Sequence, residues 1–220
     1  MSSTEREAQR EDVRARIVEA ARDIVSEEGL DALSMRALAL RIGHSPGTIY
    51  MHFRDKDDLL QSVMAEGFRR LGEAMESELA KLDAAAGPLA RYAASGRGYA
   101  RFALENTGYF RAMFKVPAVA QLKGCPESGF ARDELVPRSV REERGAELLR
   151  RAMEAGEADV GDPVRAATVG WGLIHGLTSL YLSGHLTHQV GSHEEFMELI
   201  ESAIEALGRG WLPRRGSVED

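Results

Sequence analysis

SMRALALRIGHSPGTIYMHFRDKDDLL, residues 34 to 60, is the stretch on which the fold turns. Ser34 is a good N-cap for a helix carrying Met35, Leu38, Ala39 and Ile42 at helical spacing, and Gly43 ends it. Ser45 followed by Pro46 is a cap with a first-turn proline, and it starts a very short helix through Ile49, Tyr50 and Phe53. Asp55-Lys56-Asp57-Asp58 has the form of a capping box opening a further helix. Two short helices about a tight turn, followed by an aromatic-basic junction, form the arrangement by which a small domain sets one helix into the major groove of DNA.

Working outward, Val13, Ile17, Ala20, Ala21, Ile24 and Val25 recur at helical spacing and oppose a charged face, so an amphipathic helix precedes the segment. Gly29 closes it in the left-handed conformation, and Leu30 packs back on its last turn. On the other side a long helix runs through Leu59, Leu60, Val63, Met64, Phe68, Leu71, Met75 and Leu79. Ala84 to Pro88 is a turn. Helical spacing resumes over Leu89–Leu104, and Asn106–Lys115 is a short aromatic helix. Val116–Asp133 lacks periodicity and reads as a flexible loop. Further helices follow over about Asp133–Gly156, Pro163–Leu186 and Ser192–Leu207. With no strand alternation and no internal repeat, the chain is expected to be all-α.

Composition bounds the function. With 220 residues, 44% hydrophobic and 29% charged, the chain can bury one or two cores. No signal peptide or membrane span is expected, and the single cysteine, Cys125, excludes an intrachain disulfide and a cysteine metal cluster. A reducing cytoplasm fits best, with no membrane partner. A net charge of −7 argues at first against nucleic acid. Phosphates feel only the charge within about a Debye length, ~8 Å at physiological salt. From Ser34 to Lys56 four cations (Arg36, Arg41, Arg54, Lys56) face one anion (Asp55), so the segment is locally basic. Arg6, Arg10 and Arg14 add reach, diluted by Glu5, Glu7, Glu11 and Asp12.

The run Ala37-Leu38-Ala39 through Gly43, then Ser45-Pro46-Gly47-Thr48-Ile49-Tyr50-Met51-His52-Phe53, then Lys56 and Leu59-Leu60, resembles the DNA-binding domain of TetR-family transcriptional regulators. The resemblance covers roughly Arg10 to Leu60. It implies that Ile49 and Phe53 are buried anchors and that Ser34, Arg36, Tyr50, His52 and Lys56 hold the DNA backbone. Ser45, Pro46, Gly47 and Thr48 start the recognition helix, where small residues allow close approach to base edges. His44 departs from the pattern, standing where the family places a small aliphatic residue. It is read as covering the turn, with a DNA or pH role as the alternative.

Trp171-Gly172-Leu173-Ile174-His175-Gly176, inside a helix that follows Asp-Pro, resembles the WHG-type C-terminal domain of one branch of these regulators. The resemblance therefore implies a helix-turn-helix DNA-binding domain over 10–60 and a larger helical bundle over 61–210 for ligand binding and dimerisation. Residues 1–9 and 211–220 are expected to be flexible tails. Tyr99, Phe102, Phe110, Met113, Phe114, Trp171 and His175 are candidates to line an effector pocket, with core packing as the competing role. Arg97 could pair with an acidic group on a ligand. Gly172, Gly176, Leu180 and the Phe196–Leu207 face are expected to form a two-fold interface. Two recognition helices would then sit roughly 34–36 Å apart on a palindromic operator in double-stranded DNA. The protein implied is a homodimeric, ligand-responsive repressor that is not an enzyme and has no cofactor or resident metal.

A rival from another class is a small helical metal-dependent enzyme or carrier using His175, His185 and His188. Two of these could face one way, but no carboxylate or thiolate completes a recognised ligand motif. Nucleophile elbows, phosphate loops and paired catalytic carboxylates do not occur.

Overall fold

The computed structural model describes residues 2–114 and 142–213. All regular structure among them is helical: α1 (Ser3–Glu27), a 3-10 turn (Leu30–Ala32), α2 (Met35–Arg41), α3 (Pro46–Tyr50), α4 (Lys56–Ala80), α5 (Pro88–Glu105), α6 (Thr107–Phe114), α7 (Glu142–Glu154), α8 (Pro163–Leu182) and α9 (His193–Trp211). The all-α architecture expected from the periodicity is observed. The expected loop at 116–133 lies outside the described residues, as does the first part of the helix expected from Asp133.

Several boundaries differ from expectation, each for a local reason. Residues 3–9 are not a tail but the first turns of α1. Ser2 accepts from the Glu5 amide while the Glu5 carboxylate accepts from the Ser2 amide, a complete capping box. At the other end Trp211 closes α9, rests edge-on against Tyr92 and accepts from the Asp159 amide at 2.7 Å. α8 stops at Leu182 rather than Leu186, because Ser183 turns its hydroxyl back onto the Ser179 carbonyl and Gly184 adopts φ +82°.

The chain divides into two compact units. One takes Met1–Arg69 together with α6; the other takes Arg70–Glu105 together with α7, α8 and α9. The expected boundary at residues 60 and 61 differs on two counts: α4 contributes to both units, and α6 belongs with the N-terminal helices. In the first unit, Gly108 lets α6 approach α1, where a Cβ would meet Arg22 Cδ at 2.6 Å. Tyr109, wholly buried, donates its hydroxyl to Glu19, and Arg111 donates to the Ser26 carbonyl at the end of α1. Ile17, Ala21, Ile24, Leu38, Ile49, Phe53, Leu59 and Val63 complete the core of this unit.

In the second unit α5, α7, α8 and α9 pack together. Gly98 brings α5 against the backbone of α4, where a Cβ would lie 2.5 Å from Met75 Cα. A carboxylate is buried nearby: Glu78 accepts from Arg101 at 2.8 Å and from Lys81. Burial pushes its carboxyl up, but these cationic bonds outweigh that and hold it below the usual carboxylate range. Phe196 and Ile200 are fully buried, so they are not available to the two-fold face expected on Phe196–Leu207. Phe196 instead stacks on Tyr181, ring centroids 4.3 Å apart. On α8, Val169, Gly172 and Leu180 are exposed, and Gly172 and Gly176 leave open space where a side chain would stand.

Candidate nucleic-acid interface

The helix-turn-helix assembles as its caps dictate. Ser34 accepts from the Ala37 amide to start α2, and Gly43 at φ +68° closes it. Ser45 accepts from the Thr48 amide at 3.2 Å to start α3, with Pro46 in the first turn. Its hydroxyl also meets the Thr48 hydroxyl at 3.1 Å, so these two expected readers of the groove are coupled to one another. α3 ends at Tyr50, earlier than expected, yet Ile49 and Phe53 are both buried to within 1%. They anchor α3 to the core as the sequence suggested.

The expected DNA-facing residues lie on the surface around this turn. Ser34, Arg36, His44, Ser45, Pro46, Gly47 and Tyr50 are exposed, while Thr48, His52 and Lys56 are partly so. Asp55 caps α4 through the Asp58 amide, and the Asp58 carboxylate returns to the Arg54 amide, one residue before the position that a capping box would use. Lys56 donates to the Leu30 carbonyl at 3.0 Å, so it ties the 3-10 turn to the start of α4 and keeps two further N–H groups.

The positive charge of the segment is smaller than its count. Arg41 is bound to Glu27 and Glu28 at the end of α1, and Arg54 pairs with Asp58. The Arg41 pairings cannot be read locally, because α1 and its C-cap supply both partners. The structure adds cations that the segment does not contain. Arg10 reaches the Met51 carbonyl at 3.5 Å, and Arg14 donates to Ser62 at 2.7 Å while lying 4.8 Å over the Phe53 ring. Burial, then the charges of Arg10, Arg14 and His44, hold the His52 imidazole below the ordinary histidine pKa.

The candidates for an effector pocket separate between the two units. Phe110, Met113 and Phe114 are in the first, where Phe114 packs with Phe110 and Phe68 and Met113 lies against Gly67. Tyr99, Phe102, Trp171 and His175 are in the second. There the Tyr99 hydroxyl meets His175 Nδ1 at 2.7 Å, His175 Nε2 meets the Ser179 hydroxyl at 3.3 Å, and Trp171 hydrogen-bonds Tyr99. Indole N–H can only donate. The Tyr99 oxygen therefore accepts from Trp171, and its hydroxyl shares a further hydrogen bond with His175 Nδ1. Burial raises the Tyr99 pKa and lowers that of His175, so both are neutral at pH 7. Arg97 faces Glu201 at 3.3 Å, a partner within the chain in place of the ligand group expected.

Both ring nitrogens of His175 are thus engaged, and the His185 ring meets the Ser183 hydroxyl at 2.8 Å. Among the described residues no group of three or more His, Cys, Asp or Glu could hold a metal ion. No helix among them is long and apolar enough to cross a membrane.

Residues 17–63 match the bacterial regulatory proteins of the tetR family, and residues 92–207 match the tetracyclin repressor-like C-terminal domain. The chain belongs to the TetR family of helix-turn-helix, DNA-binding transcriptional regulators. Over 70 residues it is 40% identical to the HTH-type transcriptional regulator UidR of Escherichia coli (strain K12), covering 32% of this chain and 35% of that protein. The chain thus spans about a third of the length of the curated relatives it matches. A protein of unknown function from Rhodococcus sp. RHA1 superposes with a TM-score of 0.72 at 27% identity, covering 91% of this chain and 95% of that one. PfmR from Thermus thermophilus, a TetR-family regulator, shares the fold at TM-score 0.65 and 21% identity, covering 88% of this chain and 97% of that one.

Proposed function

We propose that this regulator is a repressor that binds a near-palindromic operator as a homodimer in the bacterial cytoplasm and is released by a small-molecule effector. The observation that carries the DNA half is the α2–α3 turn. Ile49 and Phe53 are sunk in the core while Ser34, Arg36, Ser45 and Tyr50 remain on the surface beside them. A groove-reading helix needs that combination, held rigidly from behind and polar in front. The phosphate holders are Ser34, Arg36, Tyr50, His52 and the two remaining N–H groups of Lys56, and Gly47 and Thr48 approach the bases. His44, exposed in the turn, faces the same partner.

The α8 stripe of Val169, Gly172 and Leu180, all exposed, with Gly176 half-buried among them, is the two-fold face, since two copies can approach closely at the glycines. The effector site is centred on Tyr99, Phe102, Trp171 and His175, where hydrogen-bond groups sit among apolar side chains. Because α4 runs through both units, a ligand that favours one position of its second half acts on a helix continuous with the DNA-binding half.

Operator selection from random duplexes with the full chain tests the proposal. A symmetric consensus with half-sites one helical turn apart is expected, bound by a dimer in sedimentation at micromolar concentration. Recovery of no consensus sequence, or a monomer on an asymmetric site, would overturn it.

A further inference from the structure

Most arginines of known placement in this acidic chain are matched to carboxylates, among them Arg22, Arg41, Arg54, Arg97, Arg101 and Arg151. Arg10 and Arg14 are not. Glu7 and Glu11 stand three residues before them on α1, the spacing at which helical ion pairs form. Neither pair forms. Both guanidiniums turn the other way, Arg10 to the Met51 carbonyl and Arg14 to Ser62 and the face of Phe53.

They converge on the His52 imidazole beside Met51. The charges that His52 feels are those of Arg10, Arg14 and His44, all of one sign. Among the described residues no carboxylate ion-pairs with any of the four. The two guanidiniums stand there without a counter-charge, and a polyanion that spans them supplies it. Because α1 is helical and capped from Ser2, its first turns present these arginines on a rigid rod rather than on a loose arm.

The cluster lies at the C-terminal end of α3, beside Met51, whereas Ser45 and Thr48 lie at its start. Five helical residues advance roughly 7 Å, the axial rise of about two phosphates along one strand. We propose that Arg10 and Arg14 continue the His52 contact as a phosphate-holding ridge along α1, which extends the DNA footprint beyond the base pairs that α3 reads. The inference rests on the DNA-binding reading of α2 and α3, and it assigns the ridge to backbone binding without base readout.

The test uses the full chain on its selected operator. Affinity is measured from about 50 to 200 mM salt for the wild type, Arg10→Gln and Arg10→Lys, together with ethylation interference along both strands. Arg10→Gln is expected to bind several-fold more weakly and to flatten the log–log salt slope by about 0.9 for each phosphate it no longer neutralises. Arg10→Lys should restore the slope, and base preference should be the same in all three proteins. Arg10 is exposed, so the fold tolerates both changes. His52→Gln is the second variant and should lose interference at the same flanking phosphates.

A wild-type slope and footprint in Arg10→Gln would overturn the ridge while leaving the helix-turn-helix reading in place. A changed base preference in that variant would make Arg10 a base reader and overturn the assignment to backbone. Failure of the wild type to select any sequence would remove the DNA-binding reading itself, and the ridge with it.

Discussion

The two units use polar groups in opposite ways. Around α2 and α3 they point outward: Ser34, Arg36, Ser45 and Tyr50 meet solvent while the packing beneath them is apolar. Around α4, α5 and α8 they point inward, where Glu78 is clasped by Arg101 and Lys81, and Tyr99 is held between Trp171 and His175. A surface built to exchange water for phosphate can vary its polar side chains at little cost to the fold. An inward network cannot, because removing one member strands the others. Changes to the outward polar side chains around α2 and α3 should therefore register mainly in binding, and changes to the inward network mainly in stability.

Removing the anchor beneath the outward face should have the largest effect. Phe53→Ala is expected to cost about 3–5 kcal/mol, and Arg14 loses the ring it covers. Hydrogen exchange should show protection lost in α1–α3 well before α5, α8 and α9; equal loss in all of them would break the contrast between the units. Gly98→Ala follows at about 1–3 kcal/mol, since the added methyl meets backbone that no rotamer can move. An unchanged melting temperature would show that α4 and α5 can part freely.

The matched pair Tyr99→Phe and Tyr50→Phe sharpens the comparison most directly. Tyr99→Phe leaves the Trp171 N–H and His175 Nδ1 without their partner and should cost about 1–3 kcal/mol. Tyr50, 56% exposed, should cost within about 0.5 kcal/mol in stability yet weaken operator binding. The reverse ranking in denaturant titrations would refute the inward–outward distinction. Ser45→Ala should cost about 1 kcal/mol through its cap on α3, read as a lower denaturant midpoint with an unchanged slope.

The smallest effect is that of pH. His175 has a folded pKa below its ordinary value of 6.5, so the unfolded chain binds a proton more readily. Its contribution to stability is fully present above about pH 6.5 and is lost as pH falls through the lower folded value. His52 acts with the same sign in the first unit. His175→Gln should flatten the acid limb of the stability curve, and an unchanged limb would assign that limb to other groups.

What the sequence made legible follows the same division. The caps at Ser34 and Ser45 and the glycine stop at Gly43 are set within a few residues and appear in the structure, as do the buried anchors Ile49 and Phe53 that the family resemblance implied. The place of α6 with the N-terminal helices depends on Gly108 and Tyr109 meeting α1, some 85 residues distant in the Arg111–Ser26 bond. The pairing of Arg41 with Glu27 and Glu28 and of Arg97 with Glu201 likewise needs a second helix to be in place. Periodicity identifies which side of a helix is polar, but not which distant charge answers it. The buried Glu78 carried no local signal, because a glutamate on a long helix is ordinarily solvated.

Trp171, inside the inward network, and Trp211, against Tyr92, are the only two tryptophans of the chain. Both fall in the second unit, so the near-ultraviolet emission of the protein is a private optical channel for that half of the molecule. The DNA-reading half holds tyrosines but no indole, so excitation at the red edge, which tyrosine does not absorb, leaves it dark. Trp171 lies within 5.4 Å of the His175 ring, where a change in that imidazole would quench or release its light. Events around that network can thus be followed in real time, without label or reporter, while the first unit binds DNA.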